Sequence, residues 1–128
     1  MRLLLDTHAF LWFIMGSANL SLNARILIEN PANERLLSVA SLWEIAIKTS
    51  LGKLILSATF DELIPAQLKL NGIELLNINV DHISTLSTLA FHHRDPFDRL
   101  LIAQAMVEQM PIVSGDPVLD AYSVHRLW

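Results

Sequence analysis

No cysteine occurs among the 128 residues. Disulfides, thiolate zinc sites and cysteine nucleophiles are therefore excluded, and a reducing, cytoplasmic compartment is compatible with the chain. Charged residues make up only 17% and the net charge is -4, so the broad basic face that grips nucleic acid nonspecifically is missing. Long apolar runs are missing too. The longest, AFLWFIM at 9–15, falls far short of the ~20 residues that span a bilayer. Asp6 and His8 interrupt the stretch where a secretory signal would need apolar residues, so no such signal and no membrane association are expected. Repeats, low-complexity tracts and linkers are absent, which leads us to expect a single domain over 1–128.

Hydrophobic residues are plentiful, at 52%, which excludes intrinsic disorder and supplies a core. Four short apolar runs read as strands: RLLL at 2–5, RLLSV at 35–39, IELLNI at 73–78 and PIV at 111–113. SVHRLW at 123–128 is a weaker fifth. They show little alternation, as strands buried on both faces of a parallel sheet do. Helical patterns lie between them. One begins near Thr7. Another runs from Ser21 to the Asn30-Pro31 break, and another from Ser41 to Ser50 with Gly52 beyond it. A further helix opens with a capping-box pattern, Thr59 to Glu62, and ends at Asn71-Gly72. Two more place Ile83, Leu86 and Ala90 on one face and span Pro96 to Gln109. Strands alternating with helices predict an α/β sandwich around a mainly parallel sheet of four to five strands.

The placement of the acids is the informative feature. Asp6 follows the first strand, Glu44 lies early in the helix after the second, and Asp98 opens the last long helix. Asp116 follows the PIV strand. Open α/β sheets bind ligands beyond the carboxyl ends of their strands, where these acids would meet. Each has a capping explanation: Asp6 before Thr7, Ser41 to Glu44 as a capping box, and Asp95-Pro96 and Asp116-Pro117 as cap-then-proline pairs. Their convergence from four separate segments points beyond capping. Two carboxylates ~6 Å apart repel by roughly 3 kcal/mol at an effective dielectric of ~20. Four together need a cation or a proton, and an all-oxygen set suits Mg²⁺ or Mn²⁺.

Four blocks, RLLLDTHAFLW, SVASLWEIAIK, HRDPFDRLLIAQA and VSGDPVLDAY, resemble the PIN-domain ribonucleases, and among them the VapC-like toxins of bacterial toxin–antitoxin pairs. The resemblance covers essentially the whole chain. It implies a three-layer α/β/α sandwich and RNA cleavage with Mg²⁺ or Mn²⁺ held by carboxylates. By position, the ligands it implies are Asp6, Glu44, Asp98 and Asp116, with Asp95 as a cap or outer group. Ser114 stands where many relatives have threonine and keeps the hydroxyl; it and Thr7 could orient a carboxylate or a water. The resemblance also implies a homodimer and an antitoxin peptide in a groove near the early helices.

On this reading Asp6 and Asp98 hold the principal metal, and Glu44 or Asp116 takes a proton from the attacking water. Lys48 and Arg99 are candidate contacts to RNA phosphate, although Lys48 is also spaced for an i,i+4 ion pair with Glu44. Taking the four ligands from the 13 acids leaves nine, against nine Lys and Arg, so the remaining surface is neutral overall. Adjacent His92 and His93 point opposite ways on an extended segment, which makes them loop residues near a substrate groove rather than paired ligands. His8 reads as a packing or supporting residue. Trp12, Phe13, Trp43 and Phe97 read as core or subunit-interface residues rather than as platforms for bases. A receiver-like phospho-acceptor module is the competing class. It wants paired early acids and a late lysine, whereas Asp6 stands alone and no lysine follows Lys69. A metal-binding module without catalysis is the other alternative.

Overall fold

A computed structural model describes all 128 residues. Its elements in chain order are β1 (Arg2–Leu5), α1 (Thr7–Met15), α2 (Leu22–Glu29), β2 (Glu34–Ser38), α3 (Val39–Ser50), α4 (Phe60–Asn71), β3 (Ile73–Leu76), α5 (Val80–Ser87), α6 (Pro96–Glu108), β4 (Ile112–Val113) and β5 (Arg126–Leu127). A 3₁₀ turn, Pro117–Ala121, joins the last two strands. The five strands form one parallel sheet in the order β3-β2-β1-β4-β5. This is the expected α/β/α architecture, with the weak fifth strand present at the edge beside β4.

Period-two geometry explains the three layers. Leu3 and Leu5 of β1 point to one face and Leu4 to the other, and all three are fully buried. The first face packs under Phe10 of α1, Ile28 of α2, Ile45 of α3 and Ile64 of α4. The second packs under Leu101, Ile102 and Ala105 of α6, with Leu119 and Tyr122. Helix α6 is apolar on most sides because α5 covers part of what the sheet does not. No helix is long and apolar enough to cross a membrane.

Several predicted boundaries shift. Helix α3 starts at Val39, immediately after β2, with the Ser38 hydroxyl accepting from the Ala40 amide. Ser41 is therefore inside the helix, and the Ser41–Glu44 capping box does not form. The Thr59–Glu62 box fails as well: the Thr59 side chain makes no cap bond, and its carbonyl accepts from the Glu62 and Leu63 amides. The box that does form was not anticipated. Asn79 caps α5 and the ring of His82 reciprocates, while Ala90 lies beyond the end of that helix.

Gln109, which ends α6, is the one non-glycine residue with a positive φ, at 53°. A β-carbon there costs energy that glycine avoids. We expect Gln109→Gly to stabilise the protein by about 0.5–1 kcal/mol, read as a higher urea midpoint with unchanged slope. An unchanged or lower midpoint would contradict this.

Candidate active site

Strand order reverses direction at β1, with β2 on one side and β4 on the other, so the crevice at the sheet's carboxyl edge opens between β1 and β4. Leu5 pairs with Val113, and the Asp6 amide donates to the Val113 carbonyl at 3.1 Å. That register carries Asp6 alongside Ser114 and, just beyond, Asp116.

Asp6 caps α1, accepting from the Ala9 amide at 2.7 Å, and is only 7% exposed. Burial pushes its carboxyl above the ordinary value, and the Asp116 charge adds to that. The Ser114 hydroxyl, the Ala9 amide and nearby His8 pull the other way. Glu44, 3% exposed, reaches the same edge from α3. One of its oxygens accepts from the Thr7 hydroxyl at 2.8 Å, and the other pairs with the Lys48 ammonium at 2.7 Å. Ser41 lies 2.9 Å from the Thr7 oxygen, so the hydroxyl chain Ser41–Thr7 ties α3 to the start of α1. The hydrogen bond to Glu44 raises the Lys48 ammonium above its usual range, and the charges of Glu44, Asp95 and Asp98 reinforce it.

Asp95 caps α6, one oxygen accepting from the Phe97 and Asp98 amides at 2.8 and 3.2 Å. The cap sets Asp98 in the first turn, facing the other acids. The Asp98 carboxyl is pushed up to about 7, first by burial and then by Asp95, Glu44 and Asp6, with His93 opposing. Asp116 caps the 3₁₀ turn through the Val118 amide at 3.0 Å, and its own amide donates to the Ser114 hydroxyl oxygen. All four expected acids thus share one electrostatic neighbourhood.

His93, expected to lie near the groove, is in the cluster itself. Its Nε2 lies 2.7 Å from Asp116 and 3.3 Å from Asp98, and ligand atoms of these three residues fall within 4.8 Å of one another. The Asp95 amide donates to Nδ1 at 3.1 Å, so Nδ1 is an acceptor and Nε2 carries the proton. The ring is therefore a donor bridging two carboxylates. Nothing local in sequence signals this. It depends on the segment before α6 being pinned by Tyr122, whose hydroxyl accepts from the His93 amide and donates to Ala90.

Arg99 corrects the expectation of a phosphate contact. It is 6% exposed, its guanidinium donates to the carbonyls of Leu89, Ala90 and His93, and it lies over the Phe91 ring. It braces the His93 segment and is not available to a substrate. Lys48 keeps its ion pair with Glu44 and is part-exposed. Trp43, expected in the core or at a subunit interface, is not in the core: it is 61% exposed in the single chain and meets Phe97 edge-on at 5.2 Å on the rim beside Glu44 and Asp98. His92 packs edge-on against Tyr122 and makes no approach to the acids.

A family model for the PIN domain matches residues 3–124. No curated protein matches the sequence significantly. Among solved structures, the chain is similar to one in VapBC2 from Rickettsia felis bound to a DNA fragment from its promoter. The TM-score is 0.74 at 15% identity, covering 99% of this chain and 98% of that one. A toxin–antitoxin complex from Klebsiella pneumoniae gives 0.63 at 15% identity, over 98% and 95% of the two chains. FitAcB from Neisseria gonorrhoeae gives 0.68 at 13%, over 98% and 96%. At these identities the likeness establishes the fold.

The raised Asp98 pKa has a direct consequence for stability. An acid that binds its proton more tightly when folded favours the folded state below the ordinary carboxylate range. That contribution is lost as pH rises from about 4 through about 7. In metal-free protein, Asp98→Asn should stabilise the fold at pH 8 by roughly 1–2 kcal/mol, read as a higher urea midpoint, and leave the midpoint nearly unchanged at pH 4. Equal effects at both values would refute the assignment.

Proposed function

The chain belongs to the PIN domain family, and on that premise we propose a divalent-metal-dependent endoribonuclease, a single nuclease domain acting as the toxin of a toxin–antitoxin pair in the cytoplasm. The observation that carries the reading is the convergence of acids at the carboxyl edge of β1 and β4, where ligand atoms of His93, Asp98 and Asp116 fall within 4.8 Å of one another and buried Asp6 and Glu44 stand nearby. Acids gathered so closely suit a cation, and a set of carboxylate oxygens suits hard Mg²⁺ or Mn²⁺. Asp6 and Asp98 would hold it, with Glu44 and Asp116 contributing directly or through water. Bound there, a divalent ion offsets charge developing on phosphate oxygens and promotes ionisation of water.

The chain's own groups do the rest. Thr7 and Lys48 fix both oxygens of Glu44, which holds that carboxylate in place but leaves it shut in. Asp116 is the more open candidate for taking a proton from attacking water, its side chain being 35% exposed. His93 orients Asp116 and Asp98 by donating Nε2–H between them. Lys48, paired with Glu44 and part-exposed, is the side-chain cation we assign to incoming phosphate once it shifts from that pair. The toxin assignment is supported by the VapC-like sequence blocks and by the fold shared with a Klebsiella toxin–antitoxin complex. For the antitoxin we propose the cleft of about 390 Å³ beside α1, lined by Ile14, Met15, Ile55, Leu56 and Leu63. The homodimer rests on the family resemblance, and exposed Val80 and Ile83 on α5 are candidates for its interface.

The test is cleavage of single-stranded RNA with Mn²⁺ or with EDTA. Wild type should cut only with the metal, and Asp6→Asn should lose about 10²–10⁴-fold in rate. Sequencing of RNA ends after brief expression of both forms would name the substrate. Full metal-dependent cleavage by Asp6→Asn would sink the reading.

A further inference from the structure

We propose that the cleft beside the acids is a subsite for one unpaired nucleobase, with His8 and Trp12 as its aromatic wall. The inference rests on the nuclease reading and adds the residues that hold the nucleotide next to the cleaved bond. A single cleft of about 260 Å³ is lined by Asp6, His8, Trp12, Gly115 and Asp116. Two of the proposed catalytic carboxylates and two aromatic rings therefore face the same space. His8 and Trp12 stand four residues apart on α1 and so share a helix face. Their ring centroids are 5.4 Å apart with planes inclined at 33°. Behind them Trp12 meets Trp128 at 5.9 Å. Trp128 in turn lies so close to Gly115 that a β-carbon there would stand 2.9 Å from its ring. Trp12 and Trp128 also pack against the core, and these contacts hold the wall in place.

Size and charge select the occupant. The volume lies just below the ~300–1,000 Å³ typical of small-ligand pockets, which suits one nucleoside better than a stretch of polypeptide. The acid end rejects a free anion, while the ring end offers stacking to any neutral π-system. Single-stranded RNA supplies both needed parts: a phosphate for the cation-loaded acids and, across one ribose, a base for the rings. Paired bases in a duplex cannot turn onto such a wall, and stacking tolerates any base identity. The site should therefore select unpaired RNA without strong sequence preference at that position.

The experiment compares wild type, His8→Ala, Trp12→Phe and Trp12→Ala on short single-stranded RNA, with an abasic residue stepped past the cleavage point. Trp12→Ala should raise KM about 5–50-fold with kcat nearly unchanged, Trp12→Phe should keep most of the affinity, and one abasic position should reproduce the loss in wild type. With Ca²⁺ in place of Mn²⁺, so that the acids are neutralised while turnover is slow, the same RNA should shift the Trp12 indole N–H resonance of isotope-labelled protein, and a duplex of that sequence should not. The exposed His8 can be replaced without disturbing the core, so if Trp12→Ala fails to fold, His8→Ala and the abasic series decide. Unchanged KM in His8→Ala together with no sensitive abasic position overturns the proposal. So does a loss that appears in Trp43→Ala instead, or a basic peptide that moves the Trp12 resonance in preference to RNA. If wild type cuts RNA but the resonance stays still, the subsite alone fails. If the resonance moves and nothing is cut, the nuclease reading alone fails.

Discussion

The carboxyl of Asp98 sits in the fields of Asp95, Glu44 and Asp6, and burial adds to their effect. Its neighbours offset their own crowding with donors close at hand. Asp6 has the Ala9 amide and Ser114, Glu44 has Thr7 and Lys48, and Asp116 has the Val118 amide and His93. For Asp98 the nearest cationic or ring nitrogen is His93 Nε2, at 3.3 Å. Repulsion within the cluster therefore gathers on one group. Much of the surrounding structure can be understood as holding that arrangement against its tendency to separate. Arg99 and Tyr122 fix the segment that carries His93, and the Ser41–Thr7 hydroxyls lock α3 to α1.

The parallel topology brings the acids together in the first place. Each strand delivers its carboxyl end to the same edge, and each following helix begins there. Strand runs such as RLLL and RLLSV were legible because both faces are buried and the residues are apolar without interruption. Asp6, Glu44, Asp98 and Asp116 were legible because their distance from a strand end or helix start places them before any coordinate is known. The ends of elements were harder to read. Helix α3 begins directly from β2 because Ser38 can cap it at once, and a serine three residues later offered an equally good local pattern.

His93, Arg99 and Trp43 show where local reading stops. Arg99 follows a proposed ligand and looks like a phosphate contact, but its guanidinium is consumed by three carbonyls from residues up to ten positions away. His93 acquires its tautomer from the Asp95 amide and its position from Tyr122, 29 residues on. Trp43 has a large apolar ring that composition alone would bury, yet α3 turns it outward on the face next to Glu44. These roles are set by tertiary hydrogen bonds and helix rotation, neither of which has a short-range signature in the chain.

Capping and metal binding entered as rival explanations of the same acids, and the geometry leaves the two compatible. Asp6 uses one carboxylate oxygen, Oδ1, on the Ala9 amide, and Asp116 uses Oδ1 on Val118. A cap of this kind consumes one lone-pair direction and fixes the plane of the carboxylate; the second oxygen of Asp116 meets His93 Nε2 at 2.7 Å. The positive end of the helix also favours the ionised form where neighbouring charges oppose it. Asp95 differs: its one capping oxygen serves two amides, and its charge acts on Asp98 from behind. The cap-then-proline spelling at both Asp95 and Asp116 therefore does not distinguish a ligand from a cap. What distinguishes them is which element end lies in the crevice between β1 and β4, and that is a property of the sheet order.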